Sequence, residues 1–95
     1  MKPGLRIEHD AARGRFWVDV DGRRNVCDYR RDGDTMVMVH TEVDPDLQGR
    51  GIAAELVAAA LAFAREQGLK VRPLCSYVRA WLRRHPEALD LVEPR

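Results

Sequence analysis

A chain of 95 residues with 45% hydrophobic and 33% charged side chains suffices for one folded domain over residues 1–95, and excludes both a second domain and a disordered chain. A formal net charge of +1 is too small to draw nucleic acid or an anionic membrane by bulk electrostatics. No apolar run is long and hydrophobic enough to span a bilayer and residues 1–6 lack the apolar stretch of a secretory signal, so the expected location is the cytoplasm, where Cys27 and Cys75 stay free thiols.

Residues 5–9 alternate apolar and polar side chains and are read as a short first strand. Across residues 15–20, Phe16, Val18 and Val20 share one face with Trp17 and Asp19 opposite, and Asp21-Gly22 is a hairpin turn signal. Residues 25–30 form the returning strand, with Cys27 and Tyr29 on a common face, and Asp32-Gly33 marks the next turn. The fourth strand, residues 35–43, is expected to lie central in the sheet. In it Val37, Val39, Thr41 and Val43 alternate with Met36, Met38, His40 and Glu42 until Pro45 ends the extended run.

A long helix over residues 51–67 follows, with Ile52, Leu56, Ala60 and Phe63 along one face, Val57, Leu61 and Ala64 widening it, and Gly68 as its C-terminal cap. Residues 70–74 resume as a strand. The strand-helix-strand order implies a right-handed crossover that sets this strand parallel to the fourth. Ser76 is placed to cap a last helix over residues 77–84, stopped by His85-Pro86, and the tail over residues 87–95 holds a brief helical turn. The fold class is α+β, an antiparallel meander feeding one βαβ unit, with helices packed on a mixed sheet.

The turn between the fourth strand and the long helix contains Gly49 and Gly51. Free N–H groups and the positive end of the helix dipole make that helix start an anion site, glycines allow close approach to the backbone, and Arg50 adds a mobile charge. The expected ligand carries phosphate. Residues 49–54 also fit G-x-G-x-x-A, but a dinucleotide site needs an acidic residue where Leu69, Lys70 and Val71 stand, and more βαβ units than this chain holds.

Gln48, Gly51 and Ala53 fill the pattern Q/R-x-x-G-x-G/A, with Val43 and Pro45 as a Val-x-Pro lead-in. This run resembles the coenzyme A motif of GNAT-type N-acetyltransferases. With Pro73-Leu74-Cys75-Ser76-Tyr77-Val78 and Arg84-His85-Pro86 it is similar to a subgroup of very short, stand-alone members, over the chain from about residue 40 to its end. The resemblance implies that Thr41, Val43, Gln48, Gly49, Arg50, Gly51, Ile52 and Ala53 bind acetyl-coenzyme A and that backbone N–H groups near Thr41 and Val43 orient the thioester. It implies acetyl transfer to an amine whose identity stays open. A non-catalytic acyl-coenzyme A binding module is the alternative on the same scaffold.

Such transfer needs a proton acceptor for the amine and an acid for the leaving thiolate. His40 and Glu42 flank the expected acyl position and fit either as that acceptor or as solvent-facing members of a strand. Tyr77 is the candidate acid, or a packed aromatic with its hydroxyl at the rim. Cys75, where a strand meets a helix N-terminus, fits either a nucleophile or a small buried hydrophobe; direct attack by the amine, with Cys75 bordering the acyl group, is the expected route. Cys27 is read as structural. Arg72, Arg79, Arg83 and Arg84 fit either a contact to the coenzyme's 3′-phosphate or a solvated basic face. His9, His40, His85, Cys27 and Cys75 lack metal-ligand spacing, so no metal is expected. Larger relatives carry helices between their first two strands that help form the acceptor pocket, whereas only residues 10–14 stand there in this chain. The acceptor side is therefore expected to be open, contributed by another subunit, or shaped for a protein or peptide, and the chain is expected to be a monomer or a weak homodimer.

Overall fold

The computed structural model describes residues 5–94; the reading of residues 1–4 as free of a signal segment, and the last residue of the tail, lie outside the described residues. Five strands hydrogen-bond in chain order, β1 (Glu8–Asp10), β2 (Arg15–Val20), β3 (Arg23–Asp32), β4 (Thr35–Glu42) and β5 (Lys70–Pro73). The first three pairings are antiparallel and β4 with β5 is parallel. Helix α1 (Ile52–Gln67) makes the crossover between β4 and β5, and α2 (Ser76–Arg84) follows β5. The middle strand is β3; β4, expected there, is interior but one place from the edge.

The first strand starts later than its alternation suggests. The Leu5 N–H donates to Glu55 Oε1 on α1 (3.1 Å), which lifts the chain off the sheet before Glu8 pairs with Trp17. Asp21 and Gly22 both have positive φ (52° and 75°), the geometry that matches a two-residue turn to the twist of its strands, so the hairpin closes at Val20 and Arg23 and lengthens β3 beyond the predicted residues 25–30.

The alternation in β4 does not survive along its length. Asp28 pairs with His40 but the next residue, Tyr29, pairs with Met38, leaving Val39 as an extra residue in β4, a β-bulge. One inserted residue exchanges the faces beyond it. Met36 and Met38 before the bulge and Thr41 after it therefore face the helices, while His40 and Glu42 lie on the opposite side with Asp28 and Val26.

The core lies on the helical side. Ile52, Leu56, Val57, Ala60, Leu61 and Ala64 of α1 cover Phe16, Val18, Tyr29, Met36, Met38 and Val71 of the sheet, each such side chain contributing about 1.5–3 kcal/mol when it is large. Phe63 is only partly buried and meets His9 edge-on at 4.4 Å. Val78 and Leu82 of α2 join the same cluster, as do Ala88 and Leu91 of a 3-10 segment, Pro86–Leu91. After it, Val92 bridges to Val71 and the Glu93 N–H donates to the Val71 carbonyl (3.0 Å), covering part of the outer edge of β5. The other face of the sheet carries no helix among the described residues and is dressed with ion pairs, Arg15 with Asp28 (2.8 Å) and Arg24 with Asp19 (2.8 Å), the latter guanidinium 4.0 Å above Trp17.

Candidate active site

The turn after β4 is held from below by a buried amide. Asn25, fully buried, accepts the Asp44 N–H on Oδ1 (2.9 Å) and donates from Nδ2 to the carbonyls of Val18 (3.3 Å) and Arg23 (3.2 Å). Arg23 also pairs with Asp44 (3.3 Å) and Asp46 (2.8 Å), so one guanidinium offsets part of the negative charge nearest the turn. The 3-10 turn Pro45–Leu47 drives Leu47 into the core. Gly49 and Gly51 then adopt φ of 85° and 81°, and a Cβ at either would meet no atom within 4 Å, so the protein itself asks for glycine through backbone conformation rather than space.

Gly51 is the N-cap of α1 and closes no side-chain cap. The first N–H to bond backwards is that of Glu55, to the Gly51 carbonyl (3.1 Å), and the amides of Ile52, Ala53 and Ala54 have no partner among the described residues. The residues that carry these amides line a cleft of about 570 Å³. Thr41 and Val43 form its wall on the β4 side, Gln48, Gly49 and Gly51 its rim, Ile52 and Ala53 its end, and Tyr77 and Arg84 its far wall. Arg50 lies outside it: its guanidinium pairs with Asp21 (3.2 Å), across the turn from the cleft.

The cleft continues into a gap between strands. Parallel pairing stops at Met38 with Pro73, because the N–H groups of Leu74 and Cys75 both converge on the Met38 carbonyl (3.0 Å each) and turn the chain away. From Val39 to Glu42, β4 runs on with β3 alone. Its backbone edge toward β5 is thereby freed at the position where the bulge has rotated it.

Cys75, and not Ser76, is the N-cap of α2. Its Sγ lies 3.5 Å from Thr41 Oγ1, which in turn lies 3.8 Å from Cys27 Sγ. Burial pushes the Cys75 thiol up, but the Thr41 hydroxyl and the amides of Val78, Tyr77 and Thr41 outweigh it and hold the thiol below its ordinary value. Those helix amides close no capping hydrogen bond, yet their partial positive charge favours the thiolate. Cys27 behaves oppositely: burial pushes it up to about 11 despite Thr41. The Tyr77 hydroxyl is likewise raised by burial, with the Arg84 charge opposing the shift, so it keeps its proton at neutral pH. His40 Nε2 and Glu42 Oε1 stand 3.0 Å apart, both exposed, on the helix-free side of the gap.

Thr41, Val43, Gln48, Gly49, Gly51, Ile52, Ala53 and Tyr77 thus share one cleft, Cys75 sits behind Thr41, and His40 and Glu42 approach from the other face. Arg84 was readable only as one of several arginines; its seven-residue spacing from Tyr77, two helical turns, is the signal that places both on one face. Asn25 has no local signal, since its partners come from β2 and the turn after β4. Among the described residues no three His, Cys, Asp or Glu side chains gather as a metal site, and no helix is long and apolar enough to cross a membrane.

A family model described as GCN5-related N-acetyl-transferase matches residues 15–91. Protein NATD1 of Homo sapiens is 37% identical over 95% of this chain and 84% of its own length. Protein NATD1 of Danio rerio is 34% identical over 93% of this chain and 84% of its own. The solution structure of a GCN5-like protein from Staphylococcus aureus superposes with a TM-score of 0.75 at 26% identity, covering 96% of this chain and 90% of that one.

Proposed function

Since the chain belongs to the GCN5-related N-acetyltransferase family, we propose that it transfers an acetyl group from acetyl-coenzyme A to an amine. The observation that carries this reading is the continuity of the free amides at the start of α1 with the gap between β4 and β5. The amides of Ile52, Ala53 and Ala54 bind the pyrophosphate, and Arg84, at the far wall, supplies a positive charge to a coenzyme phosphate. The freed edge of β4 beside Thr41 and Val43 pairs with the coenzyme's amide-bearing arm and aims an N–H at the thioester carbonyl, where negative charge develops.

The amine enters from the helix-free face. Glu42 takes its proton, directly or through His40, as the new C–N bond forms at the carbonyl carbon. Collapse of the tetrahedral intermediate breaks the C–S bond, and Tyr77 gives its proton to the departing thiolate, for which a hydroxyl that stays protonated at neutral pH is suited. Cys75 borders the acyl group in this route without bonding to it.

A second reading, a non-catalytic acyl-coenzyme A binding module, is favoured by one feature. Only residues 11–14 connect β1 to β2, so the described chain builds no wall around an acceptor. The same openness fits an amine presented on a protein or peptide. Release of free coenzyme A from acetyl-coenzyme A, measured across small amines and lysine-bearing peptides, separates the two: turnover with a member of the panel supports transfer, and tight binding with no release by any of them supports the module.

A further inference from the structure

Thr41 carries one hydroxyl hydrogen and has two sulfurs in reach. Cys75 Sγ is 3.5 Å from Oγ1 on one side and Cys27 Sγ 3.8 Å on the other. The register brings them together: Cys27 pairs directly with Thr41 across β3 and β4, on the helical face, and Cys75 arrives over the same face from the end of β5. Cys27 is almost fully buried, so no solvent competes for its sulfur, while Cys75 is half-buried beside the gap.

We propose that Thr41 is a positioning residue for Cys75, working as a hydrogen-bond switch whose resting acceptor is Cys27. With Cys75 protonated, its S–H donates to Thr41 Oγ1 and the Thr41 O–H donates to Cys27. When Cys75 gives its proton to a base in solvent, the Thr41 O–H turns about its Cβ–Oγ bond and donates to the new thiolate. No covalent bond of Thr41 breaks, its hydrogen bond to Cys27 being exchanged for one to Cys75, and Cys27 keeps its own proton throughout. A hydrogen bond made to the charged form alone favours that form. Cys27 therefore sets how readily Thr41 turns, because it must surrender the hydroxyl each time.

The inference goes beyond the proposed transfer reaction and its test needs no turnover. It concerns which partner tunes the sulfur that borders the acyl group, whether that sulfur acts by bonding or by packing.

The experiment is the pH profile of Cys75 alkylation by iodoacetamide in the intact chain, with the ultraviolet absorbance of the thiolate as a second readout. Thr41→Val, which keeps the volume and removes the hydroxyl, is expected to slow alkylation near neutral pH by about tenfold and move the midpoint up. Thr41→Ser is expected to restore both, which a purely structural role for the methyl-bearing side chain would not produce. Cys27→Ala removes the competing acceptor, leaves the hydroxyl to Cys75 alone and is expected to move the midpoint down. In the Thr41→Val background that last shift should vanish. An unchanged midpoint in Thr41→Val overturns the proposal, as does a Cys27→Ala shift of the same size with and without the Thr41 hydroxyl.

Discussion

Tyr77 and Gly51 show how differently two residues of one cleft are constrained. Burial raises the Tyr77 hydroxyl and Arg84 moderates the effect, so the group stays protonated across the range in which an amine acetyltransferase would work. Tyr77→Phe keeps the ring and removes the hydroxyl with its proton; the expected result is a fall in kcat of about 10²-fold with coenzyme A affinity nearly unchanged, checked by steady-state rates beside calorimetry. A variant with full kcat would remove Tyr77 from the reaction. Gly51, at φ 81°, is held by conformation. Gly51→Val puts a β-branched side chain where it is strained and beside the amides proposed to bind pyrophosphate, and should weaken coenzyme A binding by about tenfold or more in a protein that circular dichroism shows to be folded. Undiminished affinity would move the pyrophosphate elsewhere.

Among elements, the short β1–β2 connection is the most exacting. Gly14 is buried at φ 69°, its carbonyl accepts the Tyr29 N–H (2.8 Å), and a Cβ there would lie 2.1 Å from the Tyr29 carbonyl oxygen. Gly14→Ala therefore combines a backbone clash with a strained conformation and is expected to cost about 3 kcal/mol or more, a loss of more than about 10 °C in Tm for a domain of this size. Thermal unfolding decides it, and a loss near zero would mean the turn can shift away. Nothing in the sequence around Gly14 announces this, because Tyr29 approaches from another strand. The same limit governed β4. Its type and extent are legible in Val37, Val39 and Thr41, but the bulge at Val39 depends on how β3 aligns with it, so the faces of Thr41 and His40 could not be read from alternation. By contrast α1, the turn before it and the crossover to β5 rest on local signals, Gly49, Gly51, Gly68 and the apolar stripe, and were readable almost to the residue. The cap of α2 falls one place before the expected Ser76, at Cys75, since the convergence of two amides on Met38 that makes Cys75 the cap is a tertiary contact.

For the whole molecule, stability should depend on a histidine remote from the cleft. His9 Nε2 contacts the Tyr29 hydroxyl at 2.6 Å, and the ring stacks on Phe16 at 4.0 Å with Phe63 against its edge. Burial lowers its pKa from the ordinary 6.5, and the neighbouring Asp10 only partly offsets that. The unfolded chain therefore binds the proton first: stability is intact above about 6.5, declines as pH falls from there to the lower folded value, and is flat below it as far as His9 is concerned. The carboxylates of Asp19, Asp90 and Glu93, lowered by hydrogen bonds from Arg24, Arg65 and Arg72, add their losses at more acidic pH. Urea unfolding of His9→Gln should lack the first decline and keep the second; a parallel pair of curves would assign the decline to other groups.

The order of strands in the sheet is the order of strands in the chain, and this has a kinetic consequence. Each hairpin of the meander closes over a few residues, whereas β5 can dock only after the whole of α1 has been spanned, the one long loop whose closure entropy must be met. The meander is thus placed to assemble early and β5 with α2 to join late. Since Tyr77 and Arg84 belong to the late part and Thr41 and Val43 to the early one, the cleft exists only after the final docking step. A ligand that bridges the two should slow undocking, seen as hydrogen exchange that becomes more protected in β5 and α2 on adding coenzyme A while the β2–β3 hairpin keeps its native rate. Equal slowing in every strand would show instead that the molecule opens as a single unit.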